Sequence, residues 1–219
     1  MNIVLINVDD VGYGDLGPYG QQLISTPRID QMAVEGVRFT NFYASAPVCG
    51  PSRASLLTGM HSGNLQSCGN GQANLTATFT LWPQLLRKHG YATAMFGKQH
   101  TSQITGETVL GDSPVDRGFN EFVGWLSAID AHQYFIDGKT PTPGVQRRQY
   151  LFATDGEGNI TRYDIPASRY TQNEFMDQAL AFIAAHAEEP FLLYLPLTLA
   201  HAELAVPRSW PNRCRCRRP

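Results

Sequence analysis

Three short apolar runs, at residues 2–8, 91–96 and 191–195, alternate with stretches of helical spacing, and this alternation constrains the fold more than any other feature of the chain. The first run is β-branched and ends abruptly in Asp9-Asp10, followed by Gly12, Gly14 and Gly17, so it reads as a buried central strand. Thr26-Pro27 then opens a helix to about Glu35, with Thr26 as N-cap, Ile29, Met32 and Ala33 on one face, and Gly36 as the stop. Residues 37–44 look extended. Residues 52–57 have helical composition and stop at Gly59, which puts Cys49 just before a helix N-terminus. A further helix is expected over 81–89, closed by Gly90, and the clearest helix spans 171–188, where Phe175, Met176, Ala179, Leu180, Phe182 and Ile183 recur at helical spacing. Between them, residues 101–169 are rich in Gly, Pro and Asp and read as loops and short strands, with 118–122 turn-like. The expected architecture is an α/β sandwich: a mainly parallel β-sheet covered by helices, with its active site outside the strand C-terminal ends.

With 219 residues and 42% hydrophobic side chains, the chain can bury a real core, which argues against disorder. Its 17 basic and 19 acidic residues leave a formal charge of -2, so there is no overall field for nucleic acid or an anionic membrane, and neither is expected as a partner. No apolar run approaches the ~20 residues of a membrane span. No signal peptide is visible, which places the chain as it stands in the cytoplasm, or in the periplasm or outside the cell if its N-terminus is truncated. The four cysteines do not suggest a disulfide framework at this size and spacing. One domain is expected over 1–207. The remaining 208–219 carry Arg208, Arg213, Arg215, Arg217 and Arg218 with Cys214 and Cys216, a tail no core could use, which reads as a frame-shifted or artificially terminated end.

Adjacent carboxylates at the end of a buried strand are costly to keep charged unless a cation or donors meet them. Asp9 and Asp10 are therefore candidate ligands of a hard metal, Ca²⁺ or Mg²⁺ rather than zinc, although one could instead cap a turn while the other is solvated. Cys49 precedes a Gly-Pro turn at a helix start, where the dipole and free N–H groups favour an anion, whereas a lone cysteine is more often a small buried hydrophobe. His61, His89, His132 and His186 have no comparable placement and receive no function. Asn74-Leu75-Thr76 and Asn159-Ile160-Thr161 match the glycosylation acceptor pattern, which is too common to use alone.

The run from Cys49 to Gly59, Cys-Gly-Pro-Ser-Arg-Ala-Ser-Leu-Leu-Thr-Gly, resembles the sulfatase signature, Cys-x-Pro-Ser-Arg followed by Leu-Thr-Gly. Asn7-Val8-Asp9-Asp10, Gly12-Tyr13-Gly14-Asp15, Thr26-Pro27, residues 35–41, Gly97-Lys98-Gln99-His100 and Leu199-Ala200-His201 resemble successive blocks of that family in order. The resemblance implies the alkaline-phosphatase-like α/β fold and hydrolysis of a sulfate ester. It also implies that Cys49 is oxidised to formylglycine by a formylglycine-generating or anaerobic sulfatase-maturating enzyme. Asp9 and Asp10, with the modified Cys49, would then hold Ca²⁺ or Mg²⁺, and the substrate would be a sulfated small molecule or carbohydrate. Arg53, one helical turn from Cys49, would stabilise the deprotonated diol and the metal carboxylates, the alternative being that it only pairs with Asp9 or Asp10. Lys98 and His100, two apart in an extended segment, would point the same way and reach sulfate and diol. His201 would protonate the leaving alcohol or bind sulfate.

Two features depart from the family pattern. Gln99 stands where a Trp is usual, and the later Asp-Asn or Asp-His pair that completes the metal site, with a further Lys, has no counterpart before Pro219. The chain is thus expected to be a fragment, incomplete at the C-terminal side of the fold, with an apolar sheet edge exposed beside Leu195 and poor solubility in isolation. Two alternatives remain beside sulfate-ester hydrolysis: a phosphonate or phosphodiester hydrolase of the same superfamily, and an inactive truncated product.

Overall fold

The computed structural model describes residues 1–65, 69–70, 75, 78–100, 103–105, 108–110, 112–137, 147–201, 205–207 and 209–210, with the backbone alone at 103–105 and 108–110. Cys68, Cys214, Cys216, Asn74 and most of the 208–219 tail lie outside the described residues. In chain order the regular elements are β1 (Ile3–Asn7), α1 (Pro27–Glu35), α2 (Cys49–Thr58), α3 (Trp82–Lys88), β2 (Ala92–Lys98), β3 (Gln103–Thr105), β4 (Thr108–Leu110), β5 (Glu121–Trp125), β6 (Leu151–Thr154), β7 (Ile160–Tyr163), α4 (Thr171–Ala185) and β8 (Phe191–Pro196).

Six strands form one sheet in the order β1-β8-β2-β5-β6-β7, and β3 and β4 form a separate antiparallel hairpin. The first four strands of the sheet are parallel, while β6 pairs antiparallel with β5 and β7 antiparallel with β6. Period-two alternation splits the core between the two faces. Ala94, Phe96, Val123, Trp125, Leu193 and Leu195 pack with Phe175, Ala179 and Phe182 of α4. Met95, Phe122, Leu192 and Tyr194 face the other way, onto Ala54 and Leu57 of α2 and Leu81 beside α3. The expected sandwich, mainly parallel with helices on both faces, is what the chain forms.

Four expectations need correction. Residues 2–8 do not form a central strand: β1 lies at the sheet edge, and Val4 and Ile6 on its outward face are 49% and 53% exposed. Among the described residues the edge strands of the sheet are β1 and β7, not the strand ending at Leu195, because β8 is flanked by β1 and β2. Residues 37–44 join no sheet, and α1 buries none of its residues, so its apolar face stands uncovered. Residues 118–122 are not merely a turn but lead into β5, a full member of the sheet whose Phe122, Val123 and Trp125 are buried.

Two glycines permit the tight centre of the sheet. A Cβ on Gly124 would sit 1.9 Å from the carbonyl oxygen of Gly97, and one on Gly97, whose φ is +136°, would sit 2.3 Å from that of Pro196. Neither neighbour is a flexible side-chain tip, so the clash cannot relax cheaply. Gly124→Ala is expected to destabilise the fold by about 3 kcal/mol in denaturant unfolding. Gly14→Ala, with nothing within 4 Å of the added carbon, should change it little by comparison. Equal stabilities for the two variants would contradict this packing.

Candidate active site

The parallel sheet gathers its polar residues at the C-terminal ends of β1, β8 and β2, as its topology requires. Leu197 N–H donates to the carbonyl of Asn7 (2.9 Å), and Asp9 N–H to that of Leu199 (2.6 Å), so the loops after β1 and β8 are laced together. These bonds bring the 9–10 pair and the 199–201 block, far apart in sequence, to one place.

α2 begins three residues earlier than expected, at Cys49 instead of Ser52, with extended Val48 as the N-cap. Cys49 is a free thiol and half-buried. The following Gly50 N–H donates to Asn70 Oδ1 at 2.9 Å. One turn on, Arg53 is buried and reaches Asp9 through Nη2 (3.3 Å) while Nη1 donates to the carbonyl of Lys98 (3.0 Å). The Lys98 ammonium is fully buried and donates to the other Asp9 oxygen at 2.6 Å. Burial alone would push the Asp9 carboxyl up, but Arg53 and Lys98 outweigh it and hold the group below the usual aspartate value. The bland expectation for Arg53, pairing with an aspartate, is thus correct for Asp9 in this structure.

Asp10 is different. Its φ of 58° turns the chain, and its side chain is 60% exposed, with His201 Nε2 3.6 Å from Oδ2. One ligand atom from each of Asp9, Cys49 and His201 falls within 4.8 Å of the others. A cleft of about 340 Å³ opens here, lined by Asp9, Asp10, Cys49, Ser52 and Arg53. The aspartates offer oxygen donors, which suit a hard divalent cation, but they supply only part of the six or more oxygens such an ion takes. Asp9 would have to share its lone pairs with Lys98 and Arg53.

Lys98 and His100 do not behave as two positions of one extended strand. β2 ends at Lys98, and His100 has φ 70°, so the alternation breaks between them. His100 is 8% exposed, and neither ring nitrogen has a hydrogen-bond partner among the described residues. Burial, then Lys98 and Arg53 beside it, push its pKa down to about 3. His132 is likewise pushed down to about 4, by burial and then by His201. An unfolded histidine takes up its proton near pH 6.5, whereas folded His100 stays neutral to about 3. The unfolded state therefore binds more protons across that window, and stability present above pH 6.5 is lost as pH falls towards 3. The expected slope from His100 is up to about 1.4 kcal/mol per pH unit. His100→Gln should flatten the melting-temperature profile between pH 6.5 and 4; a wild-type profile already flat there would contradict the burial of an uncharged ring.

Residues not anticipated as functional complete the surroundings. His132, after β5, stacks on His201 with centroids 4.0 Å apart and planes 20° from parallel. Tyr134 Oη lies 2.9 Å from the carbonyls of both Thr198 and His201. The signal that could have found them is their position just beyond a parallel strand, which the aromatic, glycine-containing stretch at 118–122 concealed.

The family model for sulfatases matches residues 1–218. Human N-acetylgalactosamine-6-sulfatase is 33% identical over 92% of this chain and 40% of its own length. Mouse arylsulfatase G is 33% identical over 97% of the chain and 44% of its own length, so the chain spans less than half of these curated relatives. Among solved structures, Ps i-CgsB in complex with k-i-k-neocarrahexaose superposes with a TM-score of 0.79 at 28% identity, covering 100% of this chain and 49% of that one. PsFucS1 sulfatase from Pseudoalteromonas sp. superposes with a TM-score of 0.77 at 26% identity, covering 97% and 46%. A third, in complex with its substrate D-glucosamine-2-N,6-O-disulfate, gives 0.64 at 28% identity, covering 89% and 34%. With a signature cysteine opening a helix beside a buried aspartate at the sheet's C-terminal end, and a family match across nearly its whole length, the chain belongs to the sulfatase family.

Proposed function

We propose that this chain carries the nucleophile-bearing part of a sulfuric ester hydrolase acting on a sulfated carbohydrate, with Cys49 converted to formylglycine. The observation that carries this reading is the convergence of Cys49, Asp9 and His201 within 4.8 Å at one open cleft. A maturating enzyme would convert the Cys49 –CH2SH to an aldehyde, itself supplying the oxidant and releasing the sulfur, and water would add to give a geminal diol. One diol hydroxyl, its proton lost to solvent in the open cleft, would attack sulfur as the S–O bond to the alcohol breaks, and His201 would give the departing oxygen its proton. The second hydroxyl then loses its proton as C=O re-forms and the C–O bond to sulfate breaks, and water rehydrates the aldehyde.

Asp9 and Asp10, with an oxygen of modified Cys49, would hold Ca²⁺ or Mg²⁺, which when bound polarises an ester oxygen and favours the ionised diol. Arg53, adjacent to Cys49 on α2 and already bound to Asp9, fixes that carboxylate and adds a charge that cannot be lost. Lys98 keeps Asp9 ionised from beneath. His100, buried and neutral beside them, can offer or accept one hydrogen bond without adding charge. The carbohydrate class is supported by the oligosaccharide and the glucosamine disulfate bound in two neighbouring structures.

The test is hydrolysis of paired 4-nitrophenyl sulfate and 4-nitrophenyl phosphate by the natural-length protein, co-expressed with a formylglycine-generating enzyme. A larger kcat/KM for the sulfate is expected; faster phosphate turnover would move the assignment to phosphoryl transfer, and turnover of neither would remove it.

A further inference from the structure

The turn after β5 faces the 198–201 turn after β8, and the two are joined at several points. Tyr134 Oη lies 2.9 Å from the carbonyls of Thr198 and His201, and its single proton can be donated to only one of them at a time. Gln172 Nε2, at the start of α4, donates to Thr198 Oγ1 at 2.7 Å, and Thr171 N–H donates to the Tyr134 carbonyl at 2.9 Å. Arg147 Nη1 holds the His132 carbonyl at 3.4 Å. These bonds tie the two turns together. A His201 ring turned about χ2 would swing Nε2 away from Asp10, 3.6 Å off, and from the cleft. What meets the flat face of that ring is the imidazole of His132, nearly parallel at 4.0 Å.

We propose that His132 is a positioning residue: its ring, lying flat against that of His201, sets the plane in which His201 presents Nε2 to the leaving oxygen of the ester. The inference rests on sulfate-ester hydrolysis as the reaction. Stacking of two planar rings confines χ2 without consuming either ring's nitrogens, so a proton donor can be oriented while its donor atom stays available. Small misplacements of a reacting group cost disproportionately in rate, which gives such a face a kinetic role even though it touches no reacting atom. Any flat aromatic side chain should serve, and a small aliphatic one should not.

The experiment compares wild type, His132→Phe and His132→Ala in the natural-length matured protein, on a sugar 6-sulfate and on 4-nitrophenyl sulfate. The sugar alkoxide needs a proton to leave and 4-nitrophenolate scarcely does. His132→Ala should therefore lower kcat on the sugar sulfate by about 100-fold with KM little changed, and affect the aryl ester by less than about threefold. His132→Phe should recover most of the sugar-sulfate rate. Equal losses on both esters, or a Phe variant no better than Ala, would overturn the proposal. If wild type cleaves neither ester, the sulfate-ester reading fails separately, and the stack is decided by histidine-labelled NMR. The His201 C2–H resonance should then lie upfield in wild type and His132→Phe and move downfield in His132→Ala, and an unmoved resonance would overturn it.

Discussion

Cys49→Ala is expected to abolish sulfate-ester turnover, with kcat reduced by at least about 10⁴-fold and folding intact. Cys49 is half-buried at the first position of α2, and among the described residues its side chain has no hydrogen bond, while the helix start is held by Ser52 N–H to the Val48 carbonyl. Cys49→Ser discriminates the chemistry further. Serine supplies one hydroxyl that can attack sulfur but no second one to expel sulfate, so it should give no more than a single turnover. Steady-state turnover by Cys49→Ser would contradict the diol mechanism. Circular dichroism and the melting temperature, unchanged in both variants, separate lost chemistry from lost structure.

Asp9→Ala is expected to destabilise the chain by about 3–5 kcal/mol in urea unfolding, because it leaves two buried cations facing each other. Lys98 is fully buried and Arg53 nearly so, and Asp9 is the carboxylate that both reach. Lys98→Met should cost less, since Asp9 would keep its Arg53 contact at 3.3 Å and a flexible apolar chain would fill the space of the lysine stem. A larger loss for Lys98→Met than for Asp9→Ala would mean that the buried charges are compensated elsewhere. The ordering matters for function because the same triad keeps Asp9 ionised and turned towards the cleft.

Much of this was legible in residue order. The alternation of apolar runs with helical spacing located β2, β8, α1, α3 and α4 closely, since buried strands and capped amphipathic helices leave strong local signatures. Asp9, Asp10 and Cys49 carry local context, at the end of an apolar run or at a helix start, whereas Arg53 and His201 stand out only through the joint resemblance to sulfatase blocks. Strand order was not legible. The run at residues 2–8 is as apolar as a central strand, but nothing local says which neighbours it receives, and β1 sits at the edge with Val4 and Ile6 outward. The placement of His100 is not legible because a left-handed φ at a non-glycine residue leaves no mark in the sequence, and it ends the alternation that would align the ring with Lys98. His132 leaves no local signal because its importance lies in a long-range stack with His201, 69 positions on, across two loops that only the folded sheet brings together.

The central claim is that Cys49 is not a structural thiol but the precursor of the nucleophile. It is tested most directly by peptide-mass analysis of the fragment containing Cys49, after expression with and without a formylglycine-generating enzyme. The account predicts that the peptide loses its thiol and reacts as an aldehyde with a hydrazide probe only when the maturating enzyme is present. An intact thiol, alkylated to completion in both samples, would contradict it.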